Sequence, residues 1–498
     1  MTNLQSEKKG DVPFNGNAEA FSSSEQVEDV GSREVVSKMT ERKILSKLDR
    51  RIVPMVMWIY LMNFMDRVAI GNARLYGMEE DLGLAEGQFQ LAVSILFVTY
   101  CLFEAPSNMI IKRCQPARYL ACLTMLWGLV ATFTAFVNNF AALVACRLLL
   151  GLFEAGFFPG IILYLSSIYN KKNIALRVGY FFTTSAISGA VGGLIAYGIG
   201  SLDGAAGWRG WRWIFLITGI PTVITGFVIP LVLPNSMESA KFLTDEDRRN
   251  LLLLREAEMG QTKSAQELRW ADVKEGMLDW KTYAYGCCQF CNNAMLYSFS
   301  VFLPTIIRGF GQWTIPQVQA LTVPVFALGA ITYLTVARLS DITQVRGPFA
   351  VGCILISMTG YIMLVSNSGN AVSFGGCFLV AMGCYAANGI PVAWLATNNP
   401  RYGKRAYASG LQLSIGNSAG VAAPFLFADD YAPAFTQSYG ATIGLLGVAA
   451  SLFTTLHLWY RITNKRRDQG KHDWKAEGKT EEEIAEMGEK SPRYRYTL

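Results

Sequence analysis

Phe140–Tyr164 reads FAALVACRLLLGLFEAGFFPGIILY, a stretch long and apolar enough to cross a hydrocarbon core of ~30 Å at 1.5 Å per residue. It nevertheless carries Arg147 and Glu154. A charge near the bilayer centre costs roughly 2.5 to 3.5 kcal/mol, so it survives only where it faces another charge, a substrate or a water-filled cavity. The two residues are seven apart, two helical turns, which puts them on one face with Gly151 between them. A second span holds the adjacent pair Asp66 and Arg67. Four intramembrane charges in two spans point first to a transport site.

The rest of the chain agrees with that class. Of 498 residues 51% are hydrophobic and 16% charged, and mean hydropathy is +0.26. Twelve apolar windows are expected as transmembrane helices, at 52–72, 88–111, 117–137, 140–164, 176–200, 210–233, 282–307, 316–337, 348–366, 372–397, 405–427 and 438–460. The expected fold is an all-α polytopic bundle of two six-helix, pseudo-symmetric halves: 49–233 and 281–460. Between them lies a polar linker, 234–280, read as one or two amphipathic helices. Residues 1–48 and 461–498 read as solvated tails, the first disordered and without the apolar stretch of a secretory signal. Both halves carry basic loops after their second helix. Small residues line the fifth span (Gly179, Ser185, Gly189, Gly192, Gly193) and the eleventh (Gly410, Ser414, Gly416, Gly420), allowing close helix approach.

Charge in the short loops sets an expected orientation. Eleven basic residues, among them Lys112, Arg113, Lys171, Lys172, Arg338 and Arg401, fall on the side of the termini, against four on the other side. The positive-inside rule places both tails in the cytosol, with Glu79, Glu80, Asp81, Asp429 and Asp430 outside. The net charge of +6 therefore reflects topology and needs no nucleic-acid partner. The ten cysteines read as small buried hydrophobes, because Cys287, Cys288 and Cys291 have no histidine near them to complete a zinc site. No phosphate-binding loop or hydrolase motif is found, so neither an enzyme nor a cofactor other than a coupling proton is expected. The plasma membrane is the expected location.

Depth follows from helix rise. Asp66 and Arg67 sit about 14 residues, ~21 Å, above the cytosolic end of their span, and Arg147 lies about seven residues, ~10 Å, below the outer end of its own. Asp66 and Arg147 are thus expected to pair. Glu154, ~10 Å deeper and near the midplane, has no evident cation at its own level, so desolvation favours its neutral acid, the property a proton carrier needs. A static structural network of the four charges is the competing reading. Glu104, near the cytosolic end of the second span, reads as a gate or loop anchor. The second half offers only neutral groups at Gln289, Asn292, Asn293, Asn388, Gln412 and Asn417. Each of these amides can bond a substrate or a neighbouring helix.

Seven stretches carry a closer resemblance: MDRVAIGNARLYGMEEDLGL (from Met65), FEAPSNMIIKR (Phe103), RLLLGLFEAGFFPG (Arg147), GWRWIFLITGI (Gly210), YSFSVFLPTIIRG (Tyr297), RLSDITQVRGPF (Arg338) and GKRAYASGLQLSIGN (Gly403). The chain resembles the major facilitator superfamily, in its anion:cation symporter branch, and most of all the fungal allantoate permease group. The resemblance implies a monomeric, proton-coupled symporter importing a small carboxylate, such as allantoate, a ureido acid or a vitamin acid of the nicotinate or pantothenate type. It implies that Arg67 binds the substrate carboxylate, that Asp66 and Glu154 are the protonation sites, and that Arg147 pairs with Asp66. Substrate contacts from the second half are expected at Asn293, Asn388, Gln412 and Asn417, and gating contacts at Glu104 and Asp341. Three positions depart from the pattern: Phe64 replaces a common Tyr, Ile342–Thr343 replaces an Arg-containing segment after Asp341, and Thr218 replaces a common Glu. Two other functions fit the same residues, an exporter of a small acidic metabolite and a nutrient-sensing receptor that signals through its tails.

Overall fold

The computed structural model describes residues 38–111, 114–169, 171–199, 202–236, 239–240, 242–258, 269–427 and 435–498. The expected positions Lys112, Arg113, Asp429 and Asp430 lie outside them, as do residues 1–37 of the tail. The first half consists of α1 (Lys38–Leu75), the short α2 (Met78–Leu82), α3 (Gln88–Ile111), α4 (Pro116–Phe133), α5 (Phe140–Glu154), α6 (Phe157–Ile168), α7 (Lys171–Ile199) and α8 (Gly210–Val232). The linker contributes α9 (Asp245–Glu258) and α10 (Trp270–Leu278). The second half is α11 (Trp280–Arg308), α12 (Ile315–Thr343), α13 (Gly347–Ser366), α14 (Asn370–Asn398), α15 (Tyr402–Leu426) and α16 (Thr436–Asp468), followed by α17 (Glu481–Glu486). Among the described residues ten spans are long and apolar enough to cross a membrane, and the helices α3 and α15 lie at the places of the expected second and eleventh spans. This is an integral membrane protein.

Three sequence expectations are corrected. The first tail does not extend to residue 48, because α1 begins at Lys38 and buries Ile44 and Leu48. The fourth span is two helices, α5 and α6, interrupted at Ala155–Gly156. Pro159, which has no N–H for the Ala155 carbonyl, sits in the first turn of the second helix, where that bond is not needed. A Cβ at Gly156 would also strike Ser107 of α3, so the break lies in tight contact with its neighbour. The third correction concerns the last thirty residues, which fold back onto the second half and are not a solvated tail. Asn464 and Asn398 each pair with the tail backbone as a neighbouring strand would, Asn464 with Tyr496 (2.9 and 2.9 Å) and Asn398 with Thr497 (3.0 and 2.8 Å). Trp394 Nε1 donates to the Thr497 carbonyl at 2.8 Å, and Arg467 donates to the carbonyls of Tyr494 and Glu489, each at 2.7 Å. The Glu489 carboxylate is buried between Lys281 (2.9 Å) and Lys404 (2.7 Å).

Within each half the helices pack in pairs, α4 along α8 and α13 along α14, and the halves meet through α1 with α11, α3 with α15, and α7 with α12. That contact is lopsided. On the side away from the termini, a Cβ at Gly71 would strike the Val301 carbonyl, and one at Gly420 would strike the Phe97 ring. One at Gly193 would meet Thr322. Ser94 Oγ donates across the same seam to the Val421 carbonyl at 2.6 Å. Nearer the termini, Gly179 and Gly410 have open space where a Cβ would point. The small-residue stripes of the fifth and eleventh spans are therefore inter-half seams at their far ends only. Of the ten cysteines, Cys288, Cys291, Cys353, Cys377 and Cys384 are buried as expected, whereas Cys114, Cys122 and Cys287 are exposed.

Gly71→Leu wedges α1 from α11; overpacking of ~1–3 kcal/mol shifts a two-state equilibrium by roughly 5- to 150-fold, so transport should fall while a Ser94→Cys reporter gains reactivity toward an impermeant maleimide. Unchanged reporter reactivity would show that the seam is not a moving contact. For the tail, burial pushes the Asp279 carboxyl up, but the Lys281 and Lys404 charges outweigh it and hold it below its usual value. A depressed carboxylate contributes stability above its unfolded value and loses it on acidification. Thermal stability of the bundle that carries the docking site should therefore be level from about pH 8 to 5 and decline below about pH 4. Glu489→Ala, by leaving Lys281 and Lys404 short of a partner, should weaken docking by up to ~3–5 kcal/mol, read as faster tail cleavage at neutral pH.

Candidate functional site

Residues 66 and 67 follow one another on α1, so their side chains leave the helix about 100° apart. Arg67 turns toward the second half and lines a central cavity. Asp66 turns back into the first half, where its Oδ2 accepts from Thr222 of α8 at 3.4 Å. Glu154 stands at the last turn of α5, just before the break, and is fully buried. Its Oε2 accepts from Arg67 Nε at 2.6 Å. Glu154 therefore has the cationic partner that the depth argument denied it. The expected depth set Glu154 ~10 Å below the level of Arg67, whereas the structure brings the two side chains into direct contact.

The expected Asp66–Arg147 pair is not formed: among the described residues no salt bridge joins them. Asp66 Oδ1 and the Nε and Nη2 atoms of Arg147 are buried without a hydrogen-bond partner among the described residues. The Arg147 guanidinium lies 5.5 Å over the Phe215 ring of α8. Gly151, expected to leave space between Arg147 and Glu154, instead admits α3, since a Cβ there would strike the Leu96 carbonyl. That contact holds α5 and α3 together at the level of the charges.

The Arg67 guanidinium is shared. Nε serves Glu154, the plane lies 4.6 Å from the Tyr100 ring and 5.9 Å from Phe97, and its Nη groups make no hydrogen bond among the described residues. Two free Nη donors held by stacking form the planar fork that matches a carboxylate. The cavity they face encloses about 650 Å³ including its mouth and is bounded by α1, α3, α6 and α7 on one side and α11, α14 and α15 on the other. A second, more apolar cavity adjoins it on the far side and shares Phe64, Arg67 and Tyr297.

The second half contributes wired amides. Gln289 donates to Asn293 (3.2 Å) and Asn388 (3.1 Å), and Asn388 donates to the Asn292 carbonyl (3.2 Å). Asn293, Asn388 and Asn417 line the cavity as expected, whereas Gln412 stands behind the wall and donates to Gln289 at 3.2 Å. Asn417 accepts from the Tyr297 hydroxyl at 3.0 Å and donates to Glu104 Oε2 at 3.4 Å, joining the halves beside the cavity. Asp341 is far from this cluster; it is half-exposed near the termini and takes its cation from Arg346 at 3.4 Å, five residues on. Thr218 spends its hydroxyl on the Ile214 carbonyl.

Sequence reasoning missed the tyrosines. Tyr60, Tyr100, Tyr297 and Tyr385 all line the cavity, with Ser185. The signal was available, because Tyr60 precedes Arg67 by seven residues and Tyr297 follows Asn293 by four, spacings that keep each pair on one helix face. The hydroxyl that Phe64 lacks is replaced by Tyr60, one turn earlier on α1.

The profile described as Major Facilitator Superfamily matches residues 56–424. An uncharacterized transporter of Schizosaccharomyces pombe is 38% identical over 83% of this chain and 81% of its own length. The MFS-type transporter cnsO of Penicillium expansum is 35% identical over 100% of this chain and 98% of its own. The major facilitator-type transporter hxnP of Emericella nidulans is 30% identical, covering 93% and 94%. Among solved structures, a bacterial homolog of the human lysosomal transporter Spinster in an inward-facing, unoccupied conformation aligns with a TM-score of 0.65 at 16% identity, over 85% of this chain and 98% of that one.

Proposed function

The chain belongs to the major facilitator superfamily and is a membrane transporter, not an enzyme; we propose that it is a proton-coupled symporter that imports a small organic anion by alternating access. The observation that carries this is the shared guanidinium: Arg67 gives Nε to a fully buried carboxylate and keeps its Nη fork for the cavity. Glu154 Oε1 has no hydrogen-bond partner among the described residues and can receive the proton. A proton on Glu154 removes the charge that competes for Arg67, and a carboxylate docking on the Nη fork replaces it. One proton and one anion enter together, and the net charge of the low-dielectric site is unchanged. Either one alone leaves a buried charge uncompensated, at a cost of several kcal/mol. That penalty is the coupling.

With both termini in the cytosol, the packed seam between Gly71, Gly420 and their neighbours closes the outside, and the molecule is inward-facing. Release of the proton and the anion to the cytosol re-forms the Arg67–Glu154 pair, which allows return without cargo. The cavity wall supports a small body carrying a carboxylate: tyrosine faces and hydroxyls surround the guanidinium, and the neutral amides of α11, α14 and α15 face it from the other half. A vitamin acid, allantoate or a ureido acid has that chemistry, in keeping with the anion:cation symporter branch, and the plasma membrane is its place of work.

Arg67→Ala should lower substrate affinity by ~2–5 kcal/mol and abolish uptake, with expression and monodispersity retained. Glu154→Gln should still bind and exchange labelled substrate, but with binding no longer dependent on pH and no accumulation driven by a pH gradient. Labelled monocarboxylates offered at acidic and neutral pH, with and without a protonophore, provide the measurement. Accumulation against a gradient by Glu154→Gln would remove the carrier role from that residue.

A further inference from the structure

Where α16 leaves the apolar layer, the docked tail and the linker helix α10 border a third, unrelated basin of about 1370 Å³ including its mouth. Seven of its lining side chains are Lys or Arg and three are carboxylates. The carboxylates are spoken for: Glu489 and Asp279 hold Lys281 and Lys404, and Glu275 holds Lys490 at 2.8 Å. Among the described residues Lys274, Arg466 and Lys475 make no salt bridge, and Arg467 serves only backbone carbonyls. Burial first, and then the Lys475, Arg467 and Arg466 charges, hold the His472 imidazole below its usual value, as a positive field requires.

The rim of this basin is apolar. Of its lining, Leu278 at the end of α10 and Trp280 at the start of α11 are exposed. Trp280 packs edge-on against Trp459, which also lines the basin. Tryptophans beside an apolar span and above it a cluster of uncompensated cations mark the headgroup level of a leaflet. A free soluble anion would need the cations but not the apolar rim.

We propose that this basin binds the phosphate-bearing headgroup of an anionic phospholipid from the leaflet on the side of the termini. Lys274, Arg466 and Lys475 take the phosphate, and the acyl chains lie along Leu278, Trp280 and the end of α16. The lipid thereby bridges the linker, the last span and the docked tail.

The test uses the full chain in phosphatidylcholine nanodiscs titrated with phosphatidylinositol phosphate, with retained lipid counted by native mass spectrometry. At ~1 kcal/mol per cation near a charged headgroup, Lys274→Gln/Arg466→Gln/Lys475→Gln should lose roughly a hundredfold in preference for the anionic lipid, whereas Arg42→Gln/Lys43→Gln/Arg50→Gln, removing equal charge from an exposed face of α1, should lose less than about tenfold. Tail protease resistance equal to wild type verifies that the first variant is folded. Equal loss in both variants would reduce the effect to general surface attraction and overturn the site. Displacement of the lipid by inorganic phosphate at matched concentration would make it a soluble-anion site and overturn the lipid assignment.

Discussion

A guanidinium and a carboxylate held 2.6 Å apart within the first half of a membrane bundle are the constraint on which the remainder depends. Either charge left alone in the pair would cost several kcal/mol, which favours the contact between them. α5 ends at Glu154 and α6 begins at Phe157, which leaves the carboxylate at an interruption and not along a smooth helical wall. Gly151 lets the α3 backbone close against α5, and Tyr100 and Phe97 on α3 hold the Arg67 plane. Packing, helix break and stacking all serve to aim one guanidinium.

The two halves are unlike in chemistry. The first presents buried charge, and the second presents amides that are already bonded to one another and to backbone. Such a network gives a firm wall at little electrostatic cost, because neutral dipoles need no counter-ion when the cavity changes its access. The exception is Asn417, which reaches across to Glu104 and so belongs to both halves. Closure of the far seam by direct backbone contact at Gly71 contrasts with this single polar contact nearer the termini. Rocking of the halves has less to break on that side.

The C-terminal residues show how charge that reads as solvent-facing can be structural. Glu489 lies 208 residues from Lys281 and 85 from Lys404, yet it neutralises both at the ends of α11 and α15. Asn398 and Asn464 give the tail backbone hydrogen-bond partners it would otherwise take from water. A polar composition is compatible with disorder and with docking alike, and only the presence of complementary groups on the bundle decides between them.

Much of this protein was legible in the residues. Apolar windows of the right length yielded the spans, the cost of intramembrane charge singled out Asp66, Arg67, Arg147 and Glu154, and small-residue stripes marked the seams. These are local properties, fixed by composition and helical period. Pairing was not local: Arg67 with Glu154 in place of Arg147 with Asp66, Gln412 behind the wall where Asn417 is in it, a tail folded back where solvent was expected. Rise per residue determines how deep a side chain sits, but the azimuth of each helix is set by what packs against it. Partners chosen by azimuth are therefore decided only when the bundle closes.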